Sequence, residues 1–469
     1  MSRLAWTRAR IVTLTTALTT VLFAGCAAFG PPPPVPAPAA RPAAQAGLAE
    51  TATTPRPDAQ WWQAFGDPAL DALVARALAE QPTLAAAAAR VQRAGAAVAA
   101  RRAERGPSLG AEADLGTTRY SEHGLVPPGV AGTVRDNATL QLAGTWEVDF
   151  FGRHRAALAS ALGARQALEA EQQAARALLA AQVVRAWVQL AGLAEQQPLL
   201  ERQLALRQTV LDLTRQREAA GLDSRIELRQ AEGALPELRR QREALDEQMA
   251  LVRHQLAALS AQPPQALAAL QPPAPPAHLG VDLLGRRPEI VAARQRVEAA
   301  SQEVELARAQ YMPDLDLMAF AGFNALGLNR LVDFGSRTYG ASAALRLPIF
   351  DHGRLDANLD ARHADLAAAV AAYDAAVLDA VRDAADAAAS VQSLARQQAE
   401  QTQALDAAEG AWRFAEERRR AGVGGALPVL ALEAQALQQR RTDAELRTRR
   451  LDAQAQLMRA LGGGYQEAR

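Results

Sequence analysis

The chain has no lysine, a single cysteine, and aromatic residues at only 4% of its positions. One cysteine excludes an intrachain disulfide framework, so the fold has to be held by packing. All 51 basic residues are arginine and are balanced by 51 acids. No basic surface recommends nucleic acid as a partner. No Gly-x-Ser-x-Gly, phosphate loop or zinc spacing is present. His123, His154, His254, His278, His352 and His363 lie scattered, and none forms a metal-spaced set with carboxylates or the cysteine. These absences point away from an enzyme and leave no catalytic residue, cofactor or metal to nominate. Past the first 25 residues no 18-residue window is both uncharged and mainly apolar. A membrane crossing would therefore have to be made by strands in a closed barrel.

What is present is a duplication. Pro82, Arg90, Val98, Arg102 and Pro107 return as Pro288, Arg296, Val304, Arg308 and Pro313, always 206 positions later. Further on the offset becomes 201: Gly152 and Arg153 return as Gly353 and Arg354, and Gly221 as Gly422. The organisation read from this is a leader at 1–25, a Pro/Ala-rich tether at 26–57, a first repeat at 58–260, a Pro-rich linker at 261–280 and a second repeat at 281–469.

The N-terminus accounts for the lone cysteine. Arg3, Arg8 and Arg10 precede an apolar run from Ile11 to Phe23 that is too short to span a bilayer. Phe23-Ala24-Gly25-Cys26 then resembles a bacterial lipobox, in which cleavage precedes a cysteine that becomes lipid-modified. Ala27 is not the aspartate that retains lipoproteins at the inner membrane, which implies export to the outer membrane. Without the leader the charge is −3, with 48 basic against 51 acidic residues.

Periodicity supplies the elements. Trp61, Trp62 and Phe65 lead to Asp67-Pro68, a capping residue and a favoured first-turn proline, ahead of helices at 68–80 and 82–105. Alternation of period two follows at 108–116, 139–150, 314–323 and 339–347. Leu140, Leu142, Trp146, Val148 and Phe150 share one face there, against Thr139, Gln141, Thr145, Glu147 and Asp149. Four strands of about ten residues, apolar on one side, fit a transmembrane barrel with a wet lumen. The same alternation fits a soluble sheet with one buried face; the export signal favours the barrel. Gly/Pro-rich loops are expected at Gly124–Gly132 and Gly322–Gly335. Helical patterns run over 156–218, 224–260, 355–420 and 427–461, with Pro198 and Pro236 as expected kinks. Leu193, Leu200, Leu204 and Leu211 mark a heptad. Gly221 and Gly422 are the helix-tip turns. Gly152-Arg153 and Gly353-Arg354 are the strand-to-helix turns, and both glycines are expected to relieve the backbone there. Four strands cannot close a cylinder around a channel and three copies would supply twelve, so a trimer is inferred from closure.

Trp61-Trp62 with Gly66-Asp67-Pro68, the segments Trp146–Arg153 and Leu347–Arg354, and the turns Ala220–Ser224 and Ala421–Gly425 together resemble the TolC-like outer membrane factor family. The likeness is strongest to its lipoprotein branch serving multidrug efflux. The resemblance implies a mainly helical fold with a small β part, trimeric, with a 12-stranded β-barrel in the outer membrane and a 12-helix tunnel across the periplasm. It implies a passive conduit for drugs and small toxic molecules that meets a periplasmic adaptor and an RND-type inner membrane pump and needs no cofactor. Same-fold conduits for type I protein secretion or heavy-metal export are the near alternative, and a periplasmic adaptor or coiled-coil scaffold the distant one. By the same resemblance the aperture lies near the helix tips. Leu427 falls at its apolar ring, Ala431 stands where an aspartate is common, and Asp223, Arg225 and Glu433 are the charged aperture candidates.

Overall fold

The computed structural model describes residues 58–260 and 287–465. Cys26, the leader, the tether and the linker lie outside the described residues. A short 3₁₀ turn, Trp61–Phe65, opens the described chain. Helices α1 (Pro68–Glu80) and α2 (Pro82–Ala103) lead to strands β1 (Ser108–Arg119) and β2 (Val134–Val148). Two long helices follow, α3 (Arg153–Ala219) and α4 (Arg225–Ser260). The second repeat answers with α5 (Pro288–Ala309), β3 (Asp314–Leu326), β4 (Arg337–Arg346), α6 (His352–Arg420) and α7 (Ala426–Ala460). With 67 and 69 residues, α3 and α6 are each on the order of 100 Å long.

Alanine abundance makes rods of this length feasible, because alanine loses no side-chain entropy in a helix and lets neighbouring backbones approach. Helix α3 is the hub: it packs on α1, α2, α4, α5 and α7. Pro198 and Pro236 lie inside α3 and α4, and both helices run on through them as single elements. Part of α3 is long and apolar enough to cross a membrane by length and composition, yet 61% of that stretch is buried inside the protein. It is core, not a span.

The largest apolar cluster gathers where α1, α3, α4 and α7 meet, around Trp187, Phe65, Leu70, Val184 and Leu256. Trp61 stands edge-on to Trp62 and Phe65, with ring centroids 6.0 and 6.2 Å apart. One buried polar residue organises this cluster. Asp67 Oδ1 accepts the backbone N–H of Ala69 at 2.9 Å, capping α1, and its Oδ2 accepts Trp187 Nε1–H at 2.8 Å. A single carboxylate thus fixes the start of α1 to the middle of α3, 120 positions away.

The four strands form one antiparallel sheet in the order β1-β2-β3-β4. Register keeps one face apolar: Leu142 pairs with Ala111 and Ala321, and Trp146 with Leu317. The strands are 10 to 15 residues long, longer than the alternation alone indicates. The expected loop at Gly322–Gly335 starts too early. Gly322 is a paired strand residue opposite Gln141, and a Cβ there would come within 2.2 Å of the Leu140 carbonyl oxygen. Close approach of the neighbouring backbone, not a turn, requires that glycine.

Asp67→Ala should destabilise the protein by about 2–4 kcal/mol, since it removes a helix cap and leaves a buried indole N–H unpaired. Asp67→Asn, which keeps an acceptor on the side chain, should lose less; thermal melting of the purified protein checks the order.

Candidate functional site

The sheet presents two unlike faces, and apart from Ala138 and Ala325 near the loop end the apolar one is left largely uncovered. On one face Leu109 is 76% exposed, Tyr339 83% and Leu345 67%. Large apolar side chains left in this state over a whole sheet face call for a nonaqueous surrounding. The other face carries polar rungs. Ser108 Oγ meets Thr145 Oγ1 at 2.7 Å, Gln141 Nε2 donates to Glu112 Oε2 at 2.8 Å, and Asn324 Nδ2 donates to Thr139 Oγ1 at 2.9 Å. Arg346 Nη1 lies 3.4 Å from Asp316 Oδ2 on the same face. Both edges, β1 and β4, lack a partner strand among the described residues.

At the helix end of the sheet, Arg153 joins two strands. Its Nη1 donates to Asp314 Oδ2 of β3 at 2.8 Å and its Nη2 to Glu147 Oε2 of β2 at 2.6 Å. Asp149 Oδ2 accepts the Arg155 N–H at 2.9 Å, satisfying a donor at the start of α3. His154 Nε2 sits 3.4 Å from Glu147 Oε1. Glu147, Arg153, His154 and Asp314 line a cleft of about 970 Å³ that also touches Arg346 and Arg354.

The two strand-to-helix turns, expected to be equivalent, differ. Gly152 has φ +80 and caps α3. Gly353 lies inside the first turn of α6, which begins at His352 after Asp351, and is not among the left-handed glycines. The second helix starts two residues earlier relative to its glycine, so no left-handed residue is needed. Arg354 differs as well. It pairs with Asp351 three residues back, and this contact holds the Asp351 carboxyl below the usual carboxylate range. Arg153 is a cross-strand tie, whereas Arg354 is a local one.

The helix tips do match. Gly221 (φ 75) and Gly422 (φ 76) end α3 and α6 in the same way. Leu222 N–H bonds Arg217 O at 2.8 Å, and Val423 N–H bonds Arg418 O at 2.9 Å. Together with the Gly N–H bonds to Glu218 and Arg419 these are Schellman closures. Arg217 grips Asp223 through two bonds, Nη2 to Oδ1 at 2.8 Å and Nε to Oδ2 at 2.9 Å. Glu227 accepts the Ser224 hydroxyl and backbone N–H, a capping box at the start of α4. The Arg217 hydrogen bonds hold the Asp223 carboxyl below its usual range, and the Ser224 bonds do the same for Glu227. In the second tip Glu416 is brought down to about 2 by the hydrogen bonds and charge of Arg419 and Arg420.

Of the aperture candidates, Asp223 is therefore engaged within its own turn. Arg225, the first residue of α4, is exposed and has no ion pair among the described residues. Leu427, in the first turn of α7, is half-buried. Glu433 is buried in α7 and accepts from Arg202 Nε at 2.8 Å, joining α7 to α3. Sequence reasoning missed that tie and the one made by Asp67. Leu222, Ile226 and Val423 stand well exposed at the two tips, although the residue after a Schellman glycine commonly packs back on its helix.

The profile of the outer membrane efflux protein family matches residues 73–262 and 279–463. The multidrug resistance outer membrane protein MdtQ of Escherichia coli is 33% identical over 424 residues, covering 87% of this chain and 88% of its own. The pyoverdine export outer membrane protein OpmQ of Pseudomonas aeruginosa is 34% identical over 425 residues, with 87% and 88% covered. The crystal structure of the outer membrane protein VceC of Vibrio cholerae matches with a TM-score of 0.78 at 33% identity, covering 87% of this chain and 100% of that one.

Gly152→Ala forces a Cβ into the left-handed region and should cost about 1–2 kcal/mol. Gly353→Ala, in open space inside a helix, should be neutral or stabilise by up to about 1 kcal/mol. Equal effects in denaturation would contradict the asymmetry. The Asp223 and Glu227 carboxyls are depressed in the folded tip, so their contribution is present above the unfolded carboxylate range. It is lost as pH falls through the folded values, below roughly pH 4. Limited proteolysis of the tip should be flat from pH 7 to 5 and rise below that, and Asp223→Asn should raise it at every pH.

Proposed function

Since the chain belongs to the outer membrane efflux protein family and is an outer membrane channel of an efflux system, we propose that three copies close a 12-stranded barrel continued by a 12-helix tunnel. The observation that carries this reading is the four-stranded sheet itself, with an exposed apolar face and two unpaired edges. Pairing β4 of one copy with β1 of the next satisfies both edges, turns the apolar face to lipid and encloses the polar rungs. The paired rods α3–α4 and α6–α7 then extend that lumen into the periplasm.

The conduit passes drugs and small toxic molecules without chemistry of its own; an inner membrane pump of the RND type supplies the energy. The exposed Leu222, Ile226 and Val423 at the two tips are the docking points for the periplasmic adaptor. Leu427 and the neighbouring charges close the resting aperture, with Asp223 and Glu433 acting through Arg217 and Arg202 to hold the tips in place. Cys26 carries the lipid anchor.

Purified protein in planar bilayers tests the conduit: the account expects stepwise ion-conducting pores from a trimer. Leu427→Ala should raise the conductance of the resting pore. Absence of pores from the intact protein would remove the reading, and unchanged conductance in the variant would remove Leu427 from the aperture.

A further inference from the structure

One rung of the polar face is unlike the others. Phe320 of β3 pairs with Ala143 on one side and Gly340 on the other, and Ala143 pairs with Gly110. Three of the four residues on that rung are glycine or alanine, and the fourth is a half-buried phenylalanine. Its ring lies over Gly340: a Cβ placed there would meet Phe320 Cε1 at 2.7 Å and Cζ at 2.9 Å. The ring is therefore laid along the sheet on the face that otherwise carries polar rungs, with Met318, 48% exposed, one rung nearer the helices.

One rung toward the loops lies Gly322, level with Gln141 and Glu112, and one further lies Asn324, level with Thr139 and Asp114. Glu112 and Asp114 have no ion pair among the described residues, and Glu112 receives only the Gln141 amide. By contrast, the acids nearer the helices, Glu147, Asp314 and Asp316, are engaged by Arg153 and Arg346. Same-face rungs are about 7 Å apart and neighbouring strands about 5 Å. Glu112 thus stands about 10 Å across and about 7 Å along from Phe320, within the span of one fused-ring molecule and two side chains.

We propose that Phe320, with the carboxylates of Glu112 and Asp114, forms a transit site for flat aromatic cations inside the barrel. The aromatic face supplies stacking and cation–π attraction, and the carboxylates supply charge in a confined lumen. The site rests on the trimeric barrel proposed above, since only closure makes this face a lumen.

The test is single-channel recording of the full-length protein with ethidium on the periplasmic side, alongside a polyethylene glycol that reads pore width. Phe320→Leu keeps apolar bulk but removes the π face. It should shorten ethidium blocking events about tenfold while the polymer is admitted as in the unmodified channel. The double variant E112Q/D114N should weaken the block similarly and reduce the preference for cations over anions. Ethidium blocks of equal duration in the unmodified channel and in Phe320→Leu would overturn the site and leave the conduit standing. Failure of the unmodified protein to form pores would overturn both.

Discussion

Exposed strand edges next to an apolar sheet face are the constraint from which the rest of the molecule follows. A strand edge leaves a row of backbone donors and acceptors unpaired, and in a bilayer nothing but another strand can satisfy them. The described residues supply four strands, with β1 and β4 at the edges. The apolar side chains of Leu109, Tyr339 and Leu345 stand outward in the same sheet. Lipid on one side and sister strands at both edges remove all of these costs together. A soluble monomer removes none of them.

The helices answer a second demand. A tunnel of rods needs each helix to touch neighbours along its length, and α3 does so against five other helices. Its fixed points are polar and sparse. Asp67 pins α1 to Trp187 of α3, and Arg202 of α3 pins Glu433 of α7. At the sheet, Arg153 binds Glu147 and Asp314 from two strands. The sheet, the α1–α3 contact and the α3–α7 contact thus each have a polar pin in an otherwise alanine- and leucine-rich framework. The tips are closed by backbone capping and local ion pairs, leaving Leu222, Ile226 and Val423 free for contact with another surface.

Element type, order and duplication were legible in the sequence because they rest on local signals. Period two marked the strands, Gly221 and Gly422 the turns, and Asp67-Pro68 the start of a helix. Gly353 and Gly322 were misread for one reason: a glycine in sequence does not say whether it serves a left-handed turn, a helix start or a close backbone approach. Only Gly152 has the left-handed conformation expected of the strand-to-helix pair. The ties of Asp67 and Glu433 span 120 and 231 positions, beyond any periodic signal. Phe320 was invisible as well. Its alternation places it on the polar face, but only the register shows glycine and alanine on both sides of it.

Cysteine cross-linking in a Cys26→Ala background tests the joining of edges most directly, since no other cysteine competes. One cysteine at Ala113 of β1 would be combined, one at a time, with cysteines at Tyr339, Ala341, Ala343 and Leu345 of β4. The account predicts a covalent trimer at one register position, formed in outer membrane fractions under mild oxidation. Monomer at every position, in protein that is folded and membrane-embedded, would contradict it.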